Sequence, residues 1–168
     1  NHYNGKTNAD LFRFIFGQDI SEGKIQELAA EKEKMYQESY KDQMQPLEGL
    51  VDFFEWIKEN DCRMALGTSA PAKNVDVILD SLDIRKYFDF IIDGSGVTQG
   101  KPHPEVYLKC IEGLGLSAGE CVVFEDAILG IKAAQAAKTK VIAVATTHNV
   151  LELLPHARCE YRLNFENP

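Results

Sequence analysis

The chain predicts an α/β domain built on a doubly wound parallel sheet, with a small all-helical unit ahead of it. Two observations predict this. Residues 1–45 place apolar side chains at helical spacing, and from Pro46 onward short apolar runs alternate with amphipathic segments. Strands that alternate with helices pair in parallel through right-handed crossovers, which gives a doubly wound, Rossmann-like sheet. A length of 168 residues suffices for one full domain, or for one domain and part of a second.

In residues 1–45, Thr7 and Asp10 form a capping-box-like start and Leu11, Phe12, Ile15 and Phe16 follow at helical spacing. Gly17 is placed to stop that helix. A second helix starts near Ser21 and gathers Ile25, Leu28, Ala29, Met35 and Tyr36 on one face. Two such helices bury little by themselves and need a further partner. In residues 46–168, Leu50, Phe53, Phe54 and Ile57 mark a helix, and residues 63–67 a strand. A helix with Val75, Ile78, Leu79 and Leu82 precedes a strand over 90–92. Pro104 opens a helix carrying Val106, Tyr107, Cys110, Ile111 and Leu114, and Gly115 stops it. Residues 121–124 form the next strand, a helix runs through Ile128, Ile131 and Ala134, and 141–144 is the last strand.

The composition, 45% hydrophobic and 26% charged, supports a packed core and argues against wholesale disorder. A net charge of −8 disfavours nucleic acid and anionic membranes as partners, since both need a basic surface. A phosphorylated small molecule meets only the charges of its pocket and stays open as a partner. Cys62, Cys110, Cys121 and Cys159 form no Cys-x-x-Cys pair. The first three lie in apolar stretches and read as buried free thiols in a reducing compartment, hence a cytoplasmic protein. No apolar run reaches the length of a membrane span. The start, Asn1-His2-Tyr3, resembles no signal peptide and is not an initiator methionine. The expectation is a chain that begins partway into a longer protein, acting as a monomer or beside an upstream fragment of itself.

Ligands of such sheets lie at the carboxyl ends of the strands, where helix amino termini also point. Three strands end there in polar groups. Thr68-Ser69 either contacts a phosphate or caps the following helix. Gly100-Lys101-Pro102 narrowly misses a P-loop, because Ser95 stands at the first glycine and Pro102 at the hydroxyl position. What remains is a lysine on a stiff mount, or a solvated one. Glu125-Asp126 closes the third strand. Adjacent carboxylates repel unless a cation lies between them, and Mg²⁺ takes one or two protein carboxylates. The alternative is Asp126 as a helix cap. Taken together, a hydroxyl, a lysine and an acidic pair at successive strand ends form a magnesium–phosphate site.

Leu66-Gly67-Thr68-Ser69, then Gly100-Lys101-Pro102-His103-Pro104-Glu105, then Val123-Phe124-Glu125-Asp126-Ala127-x-x-Gly130-Ile131-x-Ala133-Ala134 resembles the haloacid dehalogenase superfamily. The likeness is to its phosphatase and phosphoglucomutase-like branch with a helical cap. It implies that Thr68 binds the transferring phosphoryl group, that Lys101 neutralises it and steadies the nucleophile, and that Glu125 and Asp126 hold Mg²⁺. It also makes residues 1–43 part of the cap, with Gly5-Lys6-Thr7 resembling a substrate-contacting loop. Residues 46–168 then form the core.

Members of the family attack with the first aspartate of an Asp-x-Asp-x-Thr motif, and no such motif occurs in these 168 residues. The resemblance places it upstream, with the first core strand and first cap helix. The expectation is therefore that the 168 residues alone are an inactive piece, and that the full protein is a phosphatase. Without any upstream segment, the reading becomes a non-catalytic phosphate- and metal-binding module. A receiver-type signalling domain uses similar groups, but its acidic pair comes from the first strand. Lys138 stands where relatives usually have glycine. Lys32 falls on the apolar stripe of the second helix, four residues after Leu28, and either snorkels or meets the substrate. Residues 68–74 resemble the sugar-phosphatase loop more than the shorter mutase one, which adds Asn74, with Ser69, to the phosphate-binding candidates. This favours hydrolysis of a sugar phosphate over a β-phosphoglucomutase-type transfer.

Overall fold

The computed structural model describes residues 7–40, 44–156 and 161–162. Two helices come first: α1 (Asn8–Phe16) and α2 (Glu22–Tyr40). Local chemistry sets the ends of α1. The Thr7 side chain accepts from the Asp10 N–H, and Gly17 ends the helix at φ +96°. The two helices pack together, with Phe12 and Ile25 buried between them. Phe14, Ile15 and Phe16 are more than half exposed, and so is Met35, which was expected on the packed face.

The remainder alternates helix and strand as expected: α3 (Leu50–Glu59), β1 (Ala65–Gly67), α4 (Ala72–Ser81), β2 (Phe90–Ile92), α5 (Glu105–Leu114), β3 (Val122–Glu125), α6 (Ile128–Ala136), β4 (Lys140–Val144), α7 (Val150–Leu153) and β5 (Tyr161–Arg162). β3 includes Glu125, so the carboxylate ends the strand rather than following it. The two-residue β5 has no counterpart in the sequence pattern. All pairings are parallel. They form two ladders, β1–β2 and β3–β4–β5, with no strand-to-strand hydrogen bonds joining them among the described residues.

Helices tie the ladders together. α5 lies on β1 and β2 and presents Val106, Tyr107 and Cys110 to the same core that holds Ile131, Ala133 and Ala134 of α6 and Val141 and Ala143 of β4. Gly67 makes that approach possible, since a Cβ there would lie 2.8 Å from the Cys110 sulfur. α3 bridges in the same way from the other side. Phe53 meets Phe124 of β3 edge-on at 5.3 Å, while Phe54 packs on Tyr87 at 5.5 Å. Burial pushes the Cys110 thiol up to about 11, so it is an inert apolar filler. Cys62 was expected inside and is exposed, because it lies in the turn after α3. Lys138 sits at φ +63°, the left-handed position where glycine is preferred.

Ile131 is fully buried in this core and Leu151 is 78% exposed. Ile131→Ala is expected to lower stability by about 2–5 kcal/mol. Leu151→Ala is expected to change it by less than about 0.5 kcal/mol. Urea unfolding midpoints check both.

Candidate active site

The carboxyl ends of β1, β2, β3 and β4 are stitched into one edge. After β1, Thr68 N–H donates to Ile92 O at 3.0 Å, and Gly94 N–H, after β2, donates to Ala70 O at 2.8 Å. The two loops approach so closely that a Cβ on Gly94 would lie 2.5 Å from Ser69 O. Thr68 Oγ1 accepts from Ala70 N–H at 3.1 Å. That contact uses an oxygen lone pair and leaves the hydroxyl proton to donate. Asn74 is buried in the first turn of α4.

The link from β2 to β3 is an ion pair. Lys101 Nζ meets Glu125 Oε1 with side chains only 9% and 7% exposed. Glu125 Oε1 also accepts from Tyr107 OH at 2.7 Å, and Oε2 from Ala127 N–H at 2.8 Å. The ammonium lies 4.9 Å from the centre of the Tyr107 ring, a cation–π distance. Burial, and then the Glu125 charge, push the Tyr107 hydroxyl far above its ordinary value, so it remains a donor. Room for the carboxylate comes from Gly130 of α6, where a Cβ would lie 1.9 Å from Glu125 Oε1.

Asp126 is held differently. Its Oδ2 accepts from Thr146 Oγ1 at 3.1 Å and from Thr147 Oγ1, both in the loop after β4. It does not cap α6, whose N-cap is Ala127. Among the described residues no group of three His, Cys, Asp or Glu side chains gathers to hold a metal by itself. Glu125 and Asp126 are the adjacent hard-oxygen donors.

Thr68, Ser69, Lys101, Glu125 and Asp126 therefore belong to one hydrogen-bonded edge. Lys6 lies outside the described residues. Lys32 is exposed, and its ammonium donates to Asn8 Oδ1 at 2.8 Å, tying α2 to the start of α1. That start is close to the edge, since a Cβ on Gly100 would lie 3.5 Å from the Thr7 methyl. Tyr107, Gly130, Thr146 and Thr147 were not among the site residues expected from sequence. Only Gly130 carried a signal, as the glycine four residues after the acidic pair.

The loop that carries Lys101 is pinned by Glu105, which accepts from Thr98 N–H at 2.9 Å, Thr98 Oγ1 at 2.8 Å and Gln99 N–H at 2.8 Å. The Thr98 N–H bond first, then the Lys109 ammonium at 2.9 Å, and then the remaining loop contacts hold its pKa down from 4.5 to about 2. The unfolded chain then binds the extra proton first, so this contribution is complete above about 4.5 and is lost as pH falls towards about 2. Acid unfolding followed by circular dichroism should show Glu105→Gln losing that part of the pH dependence. Lys101→Met strands a buried carboxylate and is expected to cost about 3–5 kcal/mol. Adding Glu125→Leu should recover much of the loss in thermal unfolding.

The chain is similar to known proteins over much of its length. The chain is 37% identical over 111 residues to fructose-1-phosphate phosphatase of Escherichia coli, covering 66% of this chain and 57% of that protein. It is 36% identical over 107 residues to a phosphorylated carbohydrates phosphatase of Thermotoga maritima, covering 64% and 48%. The chain thus spans about half the length of these curated relatives. A HAD hydrolase of family IA, variant 3, from Entamoeba histolytica superposes with a TM-score of 0.87 at 31% identity, covering 98% of this chain and 75% of that one. A β-phosphoglucomutase from Clostridium difficile superposes at 0.84 and 26% identity, covering 98% and 74%. The model of the haloacid dehalogenase-like hydrolases matches residues 1–144. That match covers most of the 168 residues, and the fold agrees with it, so the chain belongs to the haloacid dehalogenase-like hydrolase family.

Proposed function

We propose that the protein is a Mg²⁺-dependent phosphohydrolase acting on a small phosphorylated metabolite, a sugar phosphate. The observation that carries this is the convergence, along one strand-end edge, of a buried lysine, an acidic pair and a threonine hydroxyl. The sugar-phosphate phosphatases among the relatives supply the substrate class.

Each group has a role that follows from its chemistry. Thr68 donates its hydroxyl proton to a phosphate oxygen, beside the backbone of the turn through Ser69. Asn74 and Lys6 are carried as further phosphate and substrate contacts, and Lys32 as a contact from the helical cap of residues 1–45. An ammonium has three donors; Lys101 spends one on Glu125 and turns the others to the phosphoryl group. Such fixed donors stabilise charge that develops during transfer. Glu125 and Asp126 suit Mg²⁺, which takes one or two carboxylates and leaves its remaining positions to water and phosphate. Held there, the ion would offset phosphate charge and orient the group for in-line attack.

The attacking group in this proposal is an aspartate outside the 168 residues, forming an aspartyl-phosphate that water then hydrolyses. Its partner aspartate protonates the leaving sugar oxygen and later activates water. The core of residues 46–168 supplies the rest. The likeness to β-phosphoglucomutase supports a second reading, transfer to a sugar hydroxyl instead of water.

The test is a panel of sugar phosphates, with β-glucose 1-phosphate among them, incubated with Mg²⁺ and the protein of the complete reading frame. Release of inorganic phosphate is expected, abolished by EDTA and reduced about 10²-fold in kcat by Thr68→Ala. Glucose 6-phosphate without comparable phosphate release would establish the mutase instead. The 168 residues alone are expected to turn over nothing, and Mg²⁺-dependent turnover by that chain would overturn this part.

A further inference from the structure

The two carboxylates of the acidic pair are held by opposite chemistry. Glu125 is enclosed by a cation, a phenol and a backbone N–H, so its charge is matched within the protein. Asp126 meets only neutral donors among the described residues. Both are threonine hydroxyls, from adjacent residues, and both fall on the same oxygen, Oδ2. No donor reaches Oδ1 among the described residues.

Convergence on one oxygen has a geometric effect. An aspartate has two side-chain torsions, and fixing one carboxylate oxygen from a neighbouring strand restrains both. Hydroxyls do this without cancelling the negative charge, which a lysine or arginine would do. The loop that presents them is itself held at both ends. Thr146 N–H donates to Val144 O at 2.9 Å, and a capping box between Asn149 and Glu152 starts α7 just beyond His148. His148 adds a 3.5 Å contact to Glu152. The threonines are therefore set on a braced loop, although both are exposed.

We propose that Thr146 and Thr147 are positioning residues of the metal site: they lock Asp126 through Oδ2 and leave Oδ1, with its charge unmatched, for the divalent cation. The inference rests on the Mg²⁺ reading above. Partners that orient a metal ligand typically change affinity 10–100-fold when removed.

The probe is Mn²⁺ alone, with free ion counted by electron paramagnetic resonance against the protein of the complete reading frame. Wild type is expected to bind saturably and Asp126→Asn to lose that binding. The pair Thr146→Val with Thr147→Val should weaken it about tenfold or more. Restoring hydroxyls with Thr146→Ser and Thr147→Ser should recover most of the affinity, which a packing role would not do. Circular dichroism and thermal midpoints accompany each variant. If the valine pair does not fold, the single valine variants are measured, and each should show part of the loss. Valine variants that bind like wild type, while Asp126→Asn does not, would overturn the inference alone. Wild type and Asp126→Asn that are alike in failing to bind would instead overturn the metal reading on which it depends.

Discussion

The buried pairing of Lys101 with Glu125 is the constraint around which the molecule is arranged. The β1–β2 and β3–β4–β5 ladders share no strand-to-strand hydrogen bonds among the described residues. Apolar packing through α3, α5 and α6 holds them in register only loosely in direction, since such packing is non-directional. The ion pair supplies direction, joining the loop after β2 to the last residue of β3. Removing two charges from water costs several kcal/mol per ion, offset only by good geometry and further hydrogen bonds. Tyr107, Ala127 and the cavity beneath Gly130 provide that geometry. The pair is thus a device for placement more than a source of stability.

Local signals were readable from sequence, and tertiary ones were not. The limits of α1 follow from Thr7, Asp10 and Gly17, all of which act within a few residues. Gly115 is readable for the same reason, at a left-handed helix end, whereas Lys138 was marked only by the family resemblance. Thr68, Lys101, Glu125 and Asp126 were candidates because strand ends are where ligands gather in parallel sheets, and all four do lie at strand ends. Tyr107 was read as core, and its ring is indeed buried. Only the fold reveals that its hydroxyl reaches Glu125 across eighteen residues. Thr146 and Thr147 lay just past the last apolar residue of a strand and carried no periodic signal. Lys32 and Met35 were placed by helical spacing, but spacing names a face and not what covers it. Cys62 shows the same gap, since apolar neighbours in sequence do not bury a side chain in a turn.

The helical segment and the sheet meet at a small contact with two duties. Thr7 caps α1 through its hydroxyl, and its methyl lies against Gly100, the residue before Lys101. One side chain thereby sets a helix end and a contact to the loop that presents the buried ammonium. Asn8, the next residue, receives the Lys32 ammonium from α2. Adjacent residues thus take part in the packing of the two helices and in the contact with the loop that carries Lys101.

The division into two ladders also bears on how the molecule behaves in concentrated solution. Among the described residues β1 and β3, like β2 and β5, each have a single ladder partner, which leaves one side of each without a strand-to-strand hydrogen bond. Bare edges are templates on which another extended chain can lie. Here they are only two to four residues long, and shortness is one of the ways proteins limit such pairing. Short strands, which bring four loops to one edge, thus also offer another extended chain little backbone to pair with.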